Sequence, residues 1–299
     1  MPAGSWRTSP IDGASRIDSG AMVTTTDVST PIRAASPVSA ARIRAVLEYF
    51  FTYSFRTREA LTLLGVIWLT AVTEPVLYLL AMGLGVGSLI DSTIPVDSHQ
   101  LSYIQFVAPA MLAVSCMSGA ISASIFSFYT RHRHLGMFRM ISTAAVSPAE
   151  VVVADWLWEI IRVSMLSAIF VAVMVAAGVV GIGNALVAFV ATILVIAAFA
   201  AVGIGLSTLL RGWQDFDIIT VAQTVLFLFS GTFFPIQQYP SWLEVIVQLS
   251  PLYQAIALLR ALTIDDYGIA LVVPIGYLLL MTVAGLVFSV RRMGRDLGR

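Results

Sequence analysis

The chain has no lysine: its 17 basic residues are all arginine. It has one cysteine, Cys116, and three histidines in 299 residues. Cys116 lies inside an apolar run, which excludes a disulfide within the chain and any cysteine-based metal site. His132 and His134 alternate with Arg131 and Arg133, and read as part of a solvated basic loop rather than a metal site. Charge is scarce too. Only 11% of residues are charged and 58% are hydrophobic, where soluble chains average about 25% and about 45–50%. With a mean hydropathy of +0.89, so much apolar surface cannot be hidden from water, and the chain reads as an integral membrane protein. Its net charge of zero argues against a nucleic-acid partner. No Ser/His/Asp or Cys/His arrangement, carboxylate pair or metal-spaced cluster is readable in the apolar segments, so no catalysis is expected of this chain. No bound cofactor is expected either.

A nucleotide site is absent as well. Gly83, Gly85 and Gly87 lack the Lys-Ser or Lys-Thr of a phosphate-binding loop, and no strand precedes them. Small residues that end a span or let helices pack closely explain them better. If ATP is used, another chain supplies its site. There is no internal repeat of about 20–50 residues, and no likeness between the two halves of the kind an inverted-repeat transporter carries.

What the chain does have is six apolar segments. Residues 1–40 are rich in Ser, Thr, Ala, Pro and Gly and read as a disordered cytoplasmic tail, with no apolar core of a signal peptide. Residues 41–60 place Arg42, Arg44, Arg56 and Arg58 around an aromatic centre from Tyr49 to Phe55, the pattern of an amphipathic helix at an anionic membrane surface or of a cytoplasmic extension of the first span. Spans are expected at about 61–84, 104–128, 156–180, 185–210, 218–234 and 269–290, each near the length that crosses a bilayer. Arginines cluster before the first span, after the second (Arg131, Arg133, Arg139), after the fourth (Arg211) and after the sixth (Arg291, Arg292, Arg295, Arg299). The other loops hold Asp91, Asp97, Glu244, Asp265 and Asp266, with Arg260 their only basic residue. The positive-inside rule then puts both termini in the cytoplasm of a cell-membrane protein.

Between the fifth and sixth spans the chain breaks at Phe234-Pro235, continues as an amphipathic turn with Tyr239, Pro240 and Trp242, and breaks again at Ser250-Pro251 before a second helical run to Leu262. The helical pieces between these breaks are too short to span. They read as a re-entrant hairpin, or as two interfacial helices anchored by Trp242 and Tyr253.

Charges inside apolar runs are candidate sites. Glu74, directly before Pro75 in the first span, is read as a contact on a transport route or subunit joint, or as a kink site that satisfies freed backbone groups. Asp155, Glu159 and Arg162 open the third span; Glu159 and Arg162 share a helix face and can pair, either snorkelling to the interface or meeting a cytoplasmic partner. Arg211, Asp215 and Asp217 read as a solvated loop. The connection from Tyr129 to Asp155 is long and carries Leu135, Met137, Phe138, Met140 and Ile141 around Arg139, followed by Ser147-Pro148-Ala149-Glu150, a helix-start pattern. An amphipathic helix here can dock in a groove on another protein or lie flat on the membrane.

Four stretches carry a resemblance to a known family: Glu74–Gly87, the loop Met137–Glu159, Leu226–Leu262 with its Ser-Gly-Thr-Phe-Phe-Pro, Pro-x-Trp-Leu, Ser-Pro-Leu and Leu-Leu-Arg, and the closing Arg291-Arg292. Over about residues 41–295 the chain resembles the membrane (permease) subunit of type-2 ABC exporters, and looks closest to the branch of nodulation lipo-oligosaccharide and daunorubicin-type drug exporters. The resemblance implies an all-α, six-span permease with an N-terminal interface helix and a re-entrant hairpin marked by Phe234, Pro235, Pro240, Trp242 and Pro251. It implies a second permease copy, identical or a close paralogue, and two cytoplasmic ATPase subunits that carry ATP and Mg. Leu135, Met137, Phe138, Arg139, Ile141, Pro148 and Glu150 would form the coupling element that takes up the ATPase motion, and Glu74, Glu159 and Arg162 would touch the route or the subunit joint. The substrate would be lipophilic or lipid-linked, exported from a bacterial cytoplasm or inner leaflet. Two rival readings differ in class. An ion-coupled transporter would want an ionisable relay, in which Glu74 is nearly alone; a membrane scaffold would show no substrate-dependent ATPase.

Overall fold

The structure is a computed structural model and describes residues 39–56, 77, 81, 94–96, 99–131, 147–233, 236, 240–264 and 268–297. The tail at 1–38 and nearly all of the expected first span at 61–84 lie outside the described residues, as do all of residues 132–146.

Helix α1 runs Ala40–Arg56. A small antiparallel hairpin follows, β1 at Ile94–Val96 and β2 at His99–Leu101, with Ile94 opposite Leu101. It departs from the all-α fold expected of the chain, and lies in the connection before the second span, where Ile94, Pro95 and Val96 suit an extended edge. The spans are α2 at Tyr103–Tyr129, α3 at Pro148–Ala176 and α4 at Ile182–Ser207. Then come α5 at Asp215–Leu228, the short pair α6 at Ser241–Gln248 and α7 at Pro251–Thr263, a 3₁₀ turn at Ile269–Leu271, and α8 at Val272–Leu297. Four of these are long and apolar enough to cross a membrane, and a fifth crossing is counted if the bent pair α6–α7 forms one broken span.

Helix α4 is the centre: α2, α3, α7 and α8 all pack against it. Its run Ala197–Gly205 is built of small residues around Phe199 and Ile204, which lets neighbouring backbones approach. A β-carbon on Gly203 would lie 2.9 Å from Cβ of Ser124 on α2, and one on Gly285 of α8 would lie 2.9 Å from the Ala201 carbonyl carbon. Trp156 of α3 adds a hydrogen bond, its indole N–H donating to the Ala197 carbonyl at 2.8 Å. At the two ends of the bundle, Asn184 of α4 donates to the Thr263 carbonyl of α7, and Arg292 of α8 donates to the Thr208 carbonyl just past α4 (both 3.3 Å).

The outward faces are apolar. Ile161 and Met165 of α3, Leu186 and Val190 of α4, and Leu280 and Val283 of α8 are exposed. On a soluble monomer such patches would be a liability; in a bilayer they meet lipid.

Two boundaries differ from expectation. The third span begins at Pro148, not Trp156, because Ser147-Pro148-Ala149-Glu150 starts the span itself and not a separate short helix. The helix at the fifth apolar segment stops at Leu228, six residues before Phe234. Ser230 turns its hydroxyl back to the Phe227 carbonyl at 2.8 Å, and Gly231 takes a left-handed φ of 68° that ends the helix at little steric cost.

Candidate functional site

The candidates expected on the cytoplasmic side centre on the first turns of α3. Glu150 is fully buried. One of its oxygens accepts from the Ser147 backbone N–H at 2.8 Å, while the Glu150 N–H donates to the Ser147 hydroxyl at 3.3 Å, the reciprocal capping box anticipated from the residue order. Its other oxygen accepts from the Ser39 N–H at 2.9 Å, and Arg42 lies 3.9 Å away. One carboxylate therefore serves the N-termini of two helices, α1 and α3, where a negative charge is favoured by both helix dipoles. Val46 of α1 is buried against Ala154 and Trp158 of α3, with Ile43 and Leu47 beside it. Thus α1 is docked on the third span, and its exposed side carries the Arg44–Glu48 pair at 2.9 Å.

About one and a half and two and a half turns further along α3, Asp155 and Glu159 are also fully buried. Arg131, the first residue after the α2 cap, ion-pairs with Asp155 and lies 3.9 Å from Glu159. Arg162 donates its Nε–H to Glu159 at 3.0 Å, the pairing expected from their spacing. Arg131 is itself buried, which corrects its reading as part of a solvated loop. Two carboxylates on one face of an apolar helix need cations, and the described cations nearest in the chain's layout are Arg131 and Arg162; that demand was the signal in the sequence. The same demand corrects the snorkelling option for Asp155 and Glu159, which are buried rather than reaching for water. Arg131 and Ser147, the described residues on either side of 132–146, are thus each tied to α3, by the Asp155 pair and by the Glu150 cap. Pro148 occupies the first turn of α3. Leu135, Met137, Phe138, Arg139 and Ile141 lie outside the described residues, as does Glu74.

Near Trp213 the cluster is aromatic. Trp213 stacks on Phe216 with centroids 5.3 Å apart, and both meet Tyr129 edge-on at 5.4 Å, tying the α4–α5 connection to the end of α2. Asp215 is not merely solvated: its carboxylate accepts from the Arg211 and Gly212 N–H groups at 2.6 and 3.3 Å.

At the other end of the bundle, two short helices are expected between Pro235 and Leu262; α6 and α7 are two such helices, bent by 80° at Leu249-Ser250, with the first beginning at Ser241 after Pro240. Pro251 opens α7, Pro240 precedes α6, and Trp242 is exposed; Phe234 and Pro235 lie outside the described residues. Sequence reasoning passed over Arg260. Half-buried, its guanidinium lies over the Phe106 ring of α2, 3.8 Å from the centroid, and donates to the Gly231 carbonyl at 3.3 Å. The turn after α5, the hairpin and the start of α2 meet at this one side chain.

The ABC-2 type transporter family matches residues 56–264. Nodulation protein J of Rhizobium leguminosarum bv. viciae is 25% identical over 233 residues, covering 76% of this chain and 86% of the relative. Nodulation protein J of Rhizobium meliloti (strain 1021) is 23% identical over 227 residues, covering 76% and 85%. The same-named protein of Sinorhizobium fredii (strain NBRC 101917 / NGR234) is 24% identical over 227 residues, with the same coverage. The family match takes in the capped start of α3, the buried charges, the core helix α4 and the Pro-broken hairpin, and the chain belongs to the ABC-2 type transporter family as a multi-pass membrane permease.

Proposed function

We propose that this chain is the permease subunit of an ATP-driven exporter, moving a lipophilic or lipid-linked substrate out of the cytoplasm or inner leaflet. The family match over residues 56–264 carries the reading. Membership of the family implies a separate ATPase subunit. In the full reading two ATPase copies, with their ATP and Mg, face the cytoplasm, and two permeases, identical or paralogous, enclose the route. Six spans cross the cell membrane with both termini inside, and α6–α7 re-enters from the outer side. Both the arginine distribution and the apolar outward faces support this arrangement.

Coupling is assigned to the loop 132–146. The residues that flank it, Arg131 and Ser147 to Glu150, are tied by buried charge to α3 and α1, the helices that would take up a push from the ATPase. Nucleotide-driven closure of the ATPases then shifts the spans between two arrangements, a population shift set by differential affinity for nucleotide. The test is purification of the tagged chain from its native membrane in mild detergent, followed by mass spectrometry. A nucleotide-binding protein recovered in near-equal amount, and lost or uncoupled from transport when Leu135, Phe138 and Ile141 are made polar, is the expected result. Recovery of the chain without any ATPase would overturn it.

A further inference from the structure

Arg260 of α7 carries a full charge to a place where the described residues put nothing of opposite sign. Its guanidinium rests on the Phe106 ring and makes one bond, to the Gly231 carbonyl at 3.3 Å. A guanidinium has five N–H donors. Here the Nε–H is buried and has no hydrogen-bond partner among the described residues. No carboxylate lies against the group among them either. Glu244, the acid described at this end of the bundle, accepts from Gln248 instead.

Depth makes the missing charge costly. Arg260 lies three residues before Thr263, whose carbonyl meets Asn184 near the start of α4. Phe106 lies three residues past the start of α2. The guanidinium is therefore one helical turn, about 5 Å, inside the ends of these spans. At that level a bilayer changes from headgroup to acyl chain, and arginines there reach for headgroups.

A packing clamp does not call for a charge. A glutamine could bond the Gly231 carbonyl, and an aliphatic side chain could cover the ring, without taking a cation into the membrane. The surroundings also leave an approach. Tyr253 and the small Ala257 share a face of α7 with Arg260, and all three are only half-buried. Leu228 and Phe229, exposed at the end of α5, offer carbon surface to an acyl chain.

We infer that Arg260 binds a phosphate oxyanion, which in a membrane is the headgroup phosphate of a phospholipid. The planar fork of a guanidinium matches two phosphate oxygens, and phosphate is the anion that every phospholipid brings to this depth. The inference does not rest on the exporter reading, because it concerns the chain's contact with its own bilayer.

The test uses the full chain in nanodiscs of equal parts phosphatidylglycerol and digalactosyldiacylglycerol, a neutral lipid without phosphate. The chain is released into mild detergent, and the lipids that stay with it are counted by native mass spectrometry. The unaltered chain is expected to retain phosphatidylglycerol over the galactolipid. Arg260→Gln is expected to lower that preference about tenfold, and Arg260→Lys, which keeps the charge without the fork, by no more than about threefold. Phe106→Leu removes the ring and keeps the cation, and is expected to stay within about twofold of the unaltered chain. Inorganic phosphate, added to the chain in galactolipid alone, separates the two sources of the anion. A thermal midpoint that it raises in the unaltered chain but not in Arg260→Gln marks the free ion as a ligand; no rise marks the lipid. An unaltered chain with no preference between the two lipids would overturn the inference without recourse to any variant. So would an unchanged preference in Arg260→Gln, or a loss in Phe106→Leu as large as that in Arg260→Gln, the mark of a packing clamp.

Discussion

Asp155 and Glu159 have no solvent exposure on a largely apolar helix, and Arg131 and Arg162 are what make them tolerable. Buried charge of this kind gains little over a well-packed apolar pair, but losing one partner leaves the other stranded. Asp155→Asn is therefore expected to lower the unfolding free energy by about 3 kcal/mol. The double replacement Arg131→Met with Asp155→Leu should lose distinctly less than that single change. Denaturant unfolding in mixed micelles measures both; a double variant no better than the single would mean that the charges matter for something other than each other. Arg260 is a different case, since its cation rests on a ring and a carbonyl and has no acidic side chain against it among the described residues.

At the level of elements, α4 holds the bundle because its neighbours reach its backbone. Gly285 of α8 leaves no room for a methyl beside Ala201, while Gly276 on the same helix has nothing within 4 Å of where a β-carbon would sit. Gly285→Ala is expected to destabilise by about 1–3 kcal/mol through overpacking, and Gly276→Ala to leave the thermal midpoint unchanged or slightly raised. Equal behaviour of the two would show that α8 does not pack on α4 through Gly285. The capping box has its own consequence. Since Glu150 fastens α1 to α3, the docked helix and the third span are expected to move as one piece when the loop between α2 and α3 is pushed.

For the whole molecule, the decisive property is orientation. Gly181 and Gly212 sit in connections on opposite sides of the bundle, before and after α4, and at both the space that a β-carbon would enter is open to at least 4 Å. In a Cys116→Ala background, Gly181→Cys is expected to react with a membrane-impermeant maleimide in intact cells, and Gly212→Cys only after the cells are opened. The opposite pattern would invert the molecule and place residues 132–146 away from any ATP supply.

Much of this was legible in the residue order, for reasons that are local. Helices of more than 20 apolar residues announce themselves because lipid demands that backbone groups bond within the segment, so α2, α3, α4 and α8 fall on apolar runs readable in the chain, apart from the start of α3. Ser147 with Glu150, and Pro251, act through their own neighbours in the chain, so the cap and the division of the stretch after Pro235 into two short helices followed from them, while the start of the first helix at Ser241 did not. The pairing of Glu159 with Arg162 needed only helix geometry. What only the tertiary structure decided was which distant residues meet. Arg131 joins Asp155 across 24 positions, Ser39 reaches Glu150 across 111, and Arg260 finds Gly231 and Phe106. Nothing in a local pattern says which face of one span will turn toward which face of another, because in a bilayer every face can be apolar and the choice falls to close packing and to the few polar groups that must find one another.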